Sequence, residues 1–185
     1  PMSRTEVVVT GLGVCASNGV GVPAFWEALR HGRSGIGPIT AFDASGLRSR
    51  IAGEVRDLDL NAVLPSKTIK RTARFAQLAL VAAREALAHA GLPEGAERED
   101  TAVVVGSGIG GFDLLEREHQ EFLAKGYGRF NPLTVPMIIP NMAAGAVALE
   151  TGCRGPNLCP STACATGTHA VSIALDLLRA GRAEV

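Results

Sequence analysis

The sequence predicts an α/β fold, and three observations carry that prediction. Two short β-branched runs, Glu6-Val-Val-Val-Thr10 and Thr101-Ala-Val-Val-Val105, end in glycine turns and are followed by segments of helical periodicity. Glycine accounts for 22 of 185 residues, well above the usual ~7%, which suits many tight strand-to-helix turns. Apolar content is 46% with only 4% aromatic and abundant Ala and Val, the composition of helices packed closely on buried strands. The length suits one domain with a real core.

The first run, residues 6–10, reads as a buried strand, followed by Gly11-Leu-Gly13 and a loop through Gly21. Residues 23–30 fit a short helix with proline in its first turn and Phe25, Trp26 and Leu29 on one face. Residues 31–49 are loop-rich, and 50–55 read as an edge strand. The longest helical pattern covers 66–90, with Ser66 at the N-cap and Gly91-Leu-Pro93 as its stop. Its apolar side runs through Phe75, Leu78, Ala79, Ala82, Ala86 and Ala90, and the alanines allow a neighbour to approach closely.

Residues 101–105 read as a second buried strand, ending in Gly106-Ser-Gly-Ile-Gly-Gly111. An amphipathic helix follows over 112–125, then a loop over 126–132. Pro136, Pro140 and Asn141 lead into a small-residue helix over 142–151, and 152–155 turn into the stretch 156–170. A last helix carries apolar residues at 171, 174, 175 and 178 and ends at Ala180-Gly181, the glycine suiting a left-handed position. Residues 182–185 stand where another strand is expected to begin, so the chain reads as part of something larger.

Lys+Arg and Asp+Glu balance at 18 each. That excludes the global field of a nucleic-acid or membrane-surface binder. No apolar run approaches the ~20 residues of a membrane span, and residues 1–6 carry no signal-peptide pattern. The four cysteines, at 15, 153, 159 and 164, form no C-x-x-C pair and no zinc spacing. No metal and no cofactor are predicted, and the expected compartment is the reducing cytoplasm. Cys15, Cys153 and Cys159 read as small buried hydrophobes.

Cys164 is different. It sits between Ala163 and Ala165, with Gly167 beyond, just before the last helix. A helix start offers unpaired N–H groups and the positive end of the macrodipole, and small neighbours admit a substrate carbonyl. This is the setting of an activated nucleophile. None of the histidines, at 31, 89, 119 and 169, is a convincing partner base. His169 lies five residues on, about 140° around a helix, and reads as a packing or hydrogen-bonding residue. A Cys–His hydrolase therefore lacks its second member.

Two glycine runs supply a rival reading from another class, a Rossmann-type dinucleotide-binding module. Gly106-Ser-Gly-Ile-Gly-Gly111 fits G-x-G-x-x-G after a strand, and Gly11-Leu-Gly-Val-Cys-Ala16 fits its looser form. The first lacks a second strand ending in an acidic residue, and the second lacks an uninterrupted helix. Both read better as turn and close-packing glycines. A third reading is a non-catalytic fragment or partner subunit. The basic cluster Lys67, Lys70, Arg71 and Arg74 opens the long helix against its dipole, so an acidic partner would make it easier to understand.

The chain resembles the β-ketoacyl-[acyl-carrier-protein] synthases of the thiolase superfamily, the type II condensing enzymes in particular. The likeness rests on the opening Val-Val-Val-Thr-Gly-Leu-Gly, Ser-Gly-Ile at 34–36, the glycine run at 106–111 and Pro-Asn-Met-Ala-Ala-Gly at 140–145. The most specific element is Ser161-Thr-Ala-Cys-Ala-Thr-Gly-Thr-His-Ala170, which matches the family's nucleophile motif. The resemblance implies a layered αβαβα thiolase-like fold, with residues 1–185 covering most of the first of two similar halves. It implies that Cys164 accepts an acyl chain as a thioester and that malonyl-carrier-protein then condenses with it, losing carbon dioxide, in fatty-acid or polyketide elongation.

It further implies that the Cys164 N–H contributes to an oxyanion hole and that Gly108 and Ile109 line the acyl pocket. Leu133 and Thr134 would wall a dimer partner's pocket, and 156–163 would be an interface strand of a homodimer, or of a heterodimer with a related synthase subunit. Lys67, Lys70 and Arg71 match positions that dock acyl carrier protein. The family's catalytic histidines, its lysine and its second oxyanion donor match nothing here. They are expected from the half that follows Val185, without which acylation is conceivable and full condensation is not.

Overall fold

The structure, a computed structural model, describes residues 5–92, 97–126 and 131–185. The predicted stop at Pro93 and most of the 126–132 loop lie outside the described residues.

The chain alternates short strands and helices, as predicted. Strands β1 (Cys15–Ala16) and β2 (Gly19–Val20) form an antiparallel hairpin that feeds α1 (Val22–Arg30). Strands β3 (Ile36–Pro38) and β4 (Ile51–Gly53) pair antiparallel, Gly37 opposite Ala52. Helices α2 (Leu60–Val63), α3 (Ser66–Arg71) and α4 (Arg74–His89) follow. Then come β5 (Val103–Val104), α5 (Phe112–Lys125), α6 (Thr134–Ile138), α7 (Met142–Thr151), β6 (Asn157–Leu158) and α8 (Thr166–Arg179).

The core lies where α4 meets α7 above β5. Leu80, Ala76, Ala143, Ala144, Ala146 and Val147 are buried there, joined by Val103 and Leu64. These mostly small side chains let the two helix backbones approach closely, which is why an alanine-rich chain builds its core this way. β5 packs against both α7 and α8 and pairs in parallel with β6. On its other side Glu184 N–H donates to Asp100 O at 2.8 Å, and Ala102 N–H to Val185 O at 2.7 Å. Residues 184–185 thus begin to pair beside β5, where a further strand was expected.

The first glycine run also behaves as predicted. A Cβ on Gly11 would lie 2.1 Å from Ala86 O, and one on Gly13 would lie 1.9 Å from Ala82 O. The alanines of α4 take this segment in direct backbone contact. Glu85 locks the arrangement: its carboxylate accepts from Val14 N–H at 2.8 Å and Val22 N–H at 2.7 Å.

Five expectations are corrected. Residues 6–10 form no strand; Val8 and Val9 are 69% and 80% exposed. This β-branched run has no ladder partner among the described residues and lines an open cleft of about 730 Å³ with residues 178–185. The long helix is two helices, broken at Thr72 and Ala73, both extended. Buried Gln77 makes the break tolerable, because its Nε2 donates to Ile69 O and Thr72 O, carbonyls left free at the end of α3. Pro65, not Ser66, occupies the N-cap position of α3, without a side-chain cap bond.

The face of α8 also differs. Ala170 and Leu177 are buried, whereas Val171 is exposed, so the packed stripe lies one residue from the predicted one. Finally, β3 falls in a segment read as loop-rich, and α6 forms where only prolines leading into the next helix were read. Pro136 is accommodated because it occupies the first turn of α6, where its missing N–H is not needed. Trp26 and Leu29 are exposed on α1, and only Ala28 of that helix is buried.

Half-buried Glu54 ties down the segment around β3. It accepts from Thr40 N–H and Oγ1 and from Ala41 N–H, with Arg56 beside it. The Thr40 hydroxyl and the two amides hold its carboxyl down at about 2.

Candidate active site

Two strands end together at the site. The β5–β6 ladder begins with Val103 N–H donating to Pro156 O at 2.8 Å. It continues as Val105 N–H donates to Leu158 O and Ser107 N–H to Pro160 O, both at 3.2 Å. Parallel pairing therefore delivers the 106–111 glycine loop and the 161–164 turn to one end of the sheet, the carboxyl end at which α/β folds place their sites.

Cys164 lies in a short 3-10 turn, Ala163–Ala165, immediately before α8, and is exposed. The placement at a helix start is as predicted. The turn is strained: Ala163 has φ of +51°, the left-handed region, which a residue with a Cβ rarely enters. Such a conformation costs about 1–3 kcal/mol and persists only where its surroundings enforce it. Thr166 Oγ1 accepts from Thr162 N–H at 2.8 Å, and Ala165 N–H donates to Thr162 O at 3.1 Å. Ser161 Oγ donates to Gly108 O at 3.2 Å. The result raises the cysteine on a tight bend, with its own N–H lacking an acceptor inside the turn.

The glycine loop is filled by protein. A Cβ on Gly106 would lie 2.2 Å from Thr166 Cγ2, and one on Gly110 (φ +80°) 2.2 Å from Ile138 O. Ser107 Oγ accepts from Gly110 N–H at 3.0 Å, and Gly111 N–H donates to Ile138 O at 2.9 Å. No dinucleotide cradle remains, and the Rossmann alternative fails on this packing. Gly108 is the exception, with nothing within 4 Å of where its Cβ would be; Ile109 beside it is 69% exposed. Of the two predicted pocket residues, Gly108 meets the Cys164 turn through the Ser161 hydroxyl.

Leu133 and Thr134 sit at the far end of α6 from Ile138. Leu133 is exposed; Thr134 is buried, its Oγ1 donating to Glu118 Oε2 at 3.3 Å. Lys67, Lys70 and Arg71 are exposed on α3, forming a separate patch with no ion pair among the described residues. Arg74 points elsewhere, donating to Val55 O.

No histidine is bonded to Cys164 among the described residues. His31 pairs with Glu27, His89 Nδ1 accepts from Leu12 N–H, and His119 is exposed. His169 shares a 2.7 Å hydrogen bond with Thr162 Oγ1, the hydrogen-bonding role expected of it. Cys153 is buried, and Cys15 and Cys159 are half-buried. Burial, then the Glu85 carboxylate, push the Cys15 thiol up. Among the described residues no three His, Cys, Asp or Glu side chains converge as a metal site, and no helix is long and apolar enough to cross a membrane. Sequence reasoning missed Ala163 and Thr162: an alanine carries no signal of positive φ, and a threonine none of its partners.

The profile of the family described as "Beta-ketoacyl synthase, N-terminal domain" matches residues 4–185. A 3-oxoacyl-[acyl-carrier-protein] synthase 2 from Synechocystis sp. is 41% identical over 99% of this chain and 44% of its own length. That of Coxiella burnetii is 40% identical over 96% of this chain and 43% of its own. Among solved structures, the ishigamide ketosynthase/chain length factor is 34% identical with a TM-score of 0.85, covering 98% of this chain and 46% of that one. The chain thus spans under half the length of the relatives it matches. The cysteine on its strained bend, the glycine loop beside it and these matches together show that the chain belongs to the β-ketoacyl synthase family, has a thiolase-like fold and corresponds to the family's N-terminal domain.

Proposed function

We propose that this chain bears the acyl-accepting nucleophile of a β-ketoacyl-[acyl-carrier-protein] synthase that acts in fatty-acid or polyketide elongation. The observation that carries the reading is Cys164, exposed on a strained bend at the carboxyl end of parallel strands. In the first step the Cys164 sulfur attacks the carbonyl of an acyl-carrier thioester. A new C–S bond forms, the carrier's thiol leaves, and the cysteine's proton balances it. The Cys164 N–H stabilises the oxyanion that develops. In the second step malonyl-carrier-protein loses carbon dioxide, and its carbanion attacks the acyl-cysteine. That expels the Cys164 thiolate, which takes up a proton, and leaves 3-oxoacyl-carrier.

Gly108 and Ile109 wall the acyl pocket from the glycine loop. Leu133 and Thr134 contribute to a partner's pocket, with Thr134 at the start of α6 bonded to Glu118 of α5. Lys67, Lys70 and Arg71, without an ion pair among the described residues, dock the acidic carrier protein, whose approach they steer. Asn157 and exposed Leu158 on β6 form the interface strand of a homodimer, or of a heterodimer with a related subunit. The cytoplasm suits four free thiols. Groups assisting decarboxylation come from polypeptide outside these residues, in keeping with the relatives' greater length.

The test is condensation itself. The full-length polypeptide, given acyl- and malonyl-carrier-protein, should release carbon dioxide and 3-oxoacyl-carrier in equal amounts, and Cys164→Ala should abolish the 3-oxoacyl product. Acylation of the parent without any 3-oxoacyl product under these conditions would count against the elongation reading.

A further inference from the structure

We infer that His169 and Thr162 form a positioning pair that holds the Cys164 bend in its acylation-competent geometry, a role that rests on the function proposed above. Thr162 is the residue before the strained Ala163 and two before the nucleophile. All three of its polar groups are bonded: N–H to Thr166 Oγ1, C=O to Ala165 N–H, and Oγ1 to His169 Nδ1 at 2.7 Å. Two of those partners, Thr166 and Ala165, belong to the bend and the helix start it feeds. His169 lies a turn into α8, so its bond ties the bend to the body of the helix.

That bond gives the strain at Ala163 a counterweight. Without it the Thr162 side chain can rotate, and φ of +51° at Ala163 is held only by the bonds of the Thr162 N–H and C=O. The chemistry also suits a fixed strut. A hydroxyl can donate or accept, so it complements Nδ1 whether or not that nitrogen carries the proton. The bond therefore serves as a strut in either tautomer of the ring. His169 acts through Thr162, and among the described residues it has no hydrogen bond to the sulfur or to any other side chain of the bend.

The experiment compares two reactions of the same thiol in the full-length polypeptide. Acylation by an acyl-carrier thioester needs sulfur and oxyanion-hole N–H placed together; alkylation by iodoacetamide needs only an accessible sulfur. His169→Ala and Thr162→Val should each slow thioester acylation about 5- to 50-fold, between the loss of one hydrogen bond and a displacement approaching 1 Å. Iodoacetamide should change less than about twofold, consistent with an undiminished population of free sulfur. The double variant should be no slower than the worse single one, because both remove the same bond. His169→Asn, whose amide reaches the Nδ1 position, should restore the rate and leave its pH profile unchanged.

Equal slowing of both reagents, additive effects, or failure of Asn to rescue would overturn the pair. Should His169→Ala not fold, the Thr162→Val and His169→Asn comparisons decide by the same criteria. A parent that is alkylated at Cys164 but never acylated would overturn the function proposed above and this inference with it. A parent acylated normally, with His169→Ala acylated as fast, would overturn this inference alone.

Discussion

Gly106→Ala places one methyl group where the glycine loop meets the first residue of α8. The added carbon would lie 2.2 Å from Thr166 Cγ2, 3.0 Å from Thr166 O and 3.3 Å from Thr166 C. Carbon atoms rest about 3.5–4.0 Å apart, so the loop or the helix start must yield by roughly 1.3–1.8 Å. Thr166 also holds Thr162 N–H through Oγ1, so a displaced Thr166 carries the bend with it. Overpacking of this kind costs about 1–3 kcal/mol, a fall in Tm of about 2–12 °C for a chain of this size. Misplacing a reacting group by about 1 Å costs on the order of 100-fold in rate.

Acylation of Cys164 should therefore fall about 30- to 100-fold, measured as the initial rate of thioester formation on protein confirmed folded by circular dichroism. Thr166→Ser removes Cγ2 and keeps Oγ1, so in the Gly106→Ala background it should recover part of both losses. Gly108→Ala, in open space, should shift Tm by no more than about 1–2 °C. Parent-like acylation and melting in Gly106→Ala would refute the claim that loop and nucleophile bend are one packed unit.

Glu85→Ala strands the N–H groups of Val14 and Val22, and urea titration should show a loss of about 2–4 kcal/mol; a loss below about 0.5 kcal/mol would contradict the lock. Gln77→Ala leaves Ile69 O and Thr72 O unpaired at the helix break and should cost about 1–3 kcal/mol, read from Tm. Glu54 has its folded value lowered from 4.5 to about 2, so its anchoring is fully present above about 4.5 and lost as pH falls through about 2. The amide shifts of Thr40 and Ala41 should titrate with a midpoint near 2; a midpoint near the unperturbed carboxylate would contradict the bonding. Reversing Lys67, Lys70 and Arg71 to Glu should raise KM for acyl-carrier-protein about tenfold or more and flatten its salt dependence, with iodoacetamide alkylation of Cys164 unchanged.

The architecture was legible where periodicity and small residues speak for themselves. The bounds of α5 and α7 match the sequence reading, and Gly181 adopts the expected positive φ. Close-packing roles for Gly11, Gly13, Gly106 and Gly110 were also readable, because glycine is the residue that permits backbone contact. The helix break at Thr72 was not. No proline or glycine marks it, and the group that stabilises it is a side-chain amide, that of Gln77 five residues on, whose bonding back to Thr72 O no local propensity signals. Strand propensity misled at residues 6–10, because a strand needs a neighbour's ladder and Val8 and Val9 have none among the described residues.

At the site, Cys164 and its helix start could be read from small neighbours and the glycine that follows. The strain beneath it could not, since an alanine such as Ala163 carries none of the signal of positive φ that glycine or asparagine would. The angular position of His169 argues against a base for Cys164, and its Nδ1 bonds Thr162 Oγ1. What linear spacing could not reveal is that the same histidine reaches back to Thr162.

The central claim is that Cys164, alone of the four cysteines, carries the acyl group. Peptide mapping by mass spectrometry after incubation with acyl-carrier-protein tests it most directly. One thioester, located on Cys164 and absent in Cys164→Ala while Cys15, Cys153 and Cys159 remain free thiols, is the predicted result. Acyl label on any of those three, or persisting in Cys164→Ala, would contradict it.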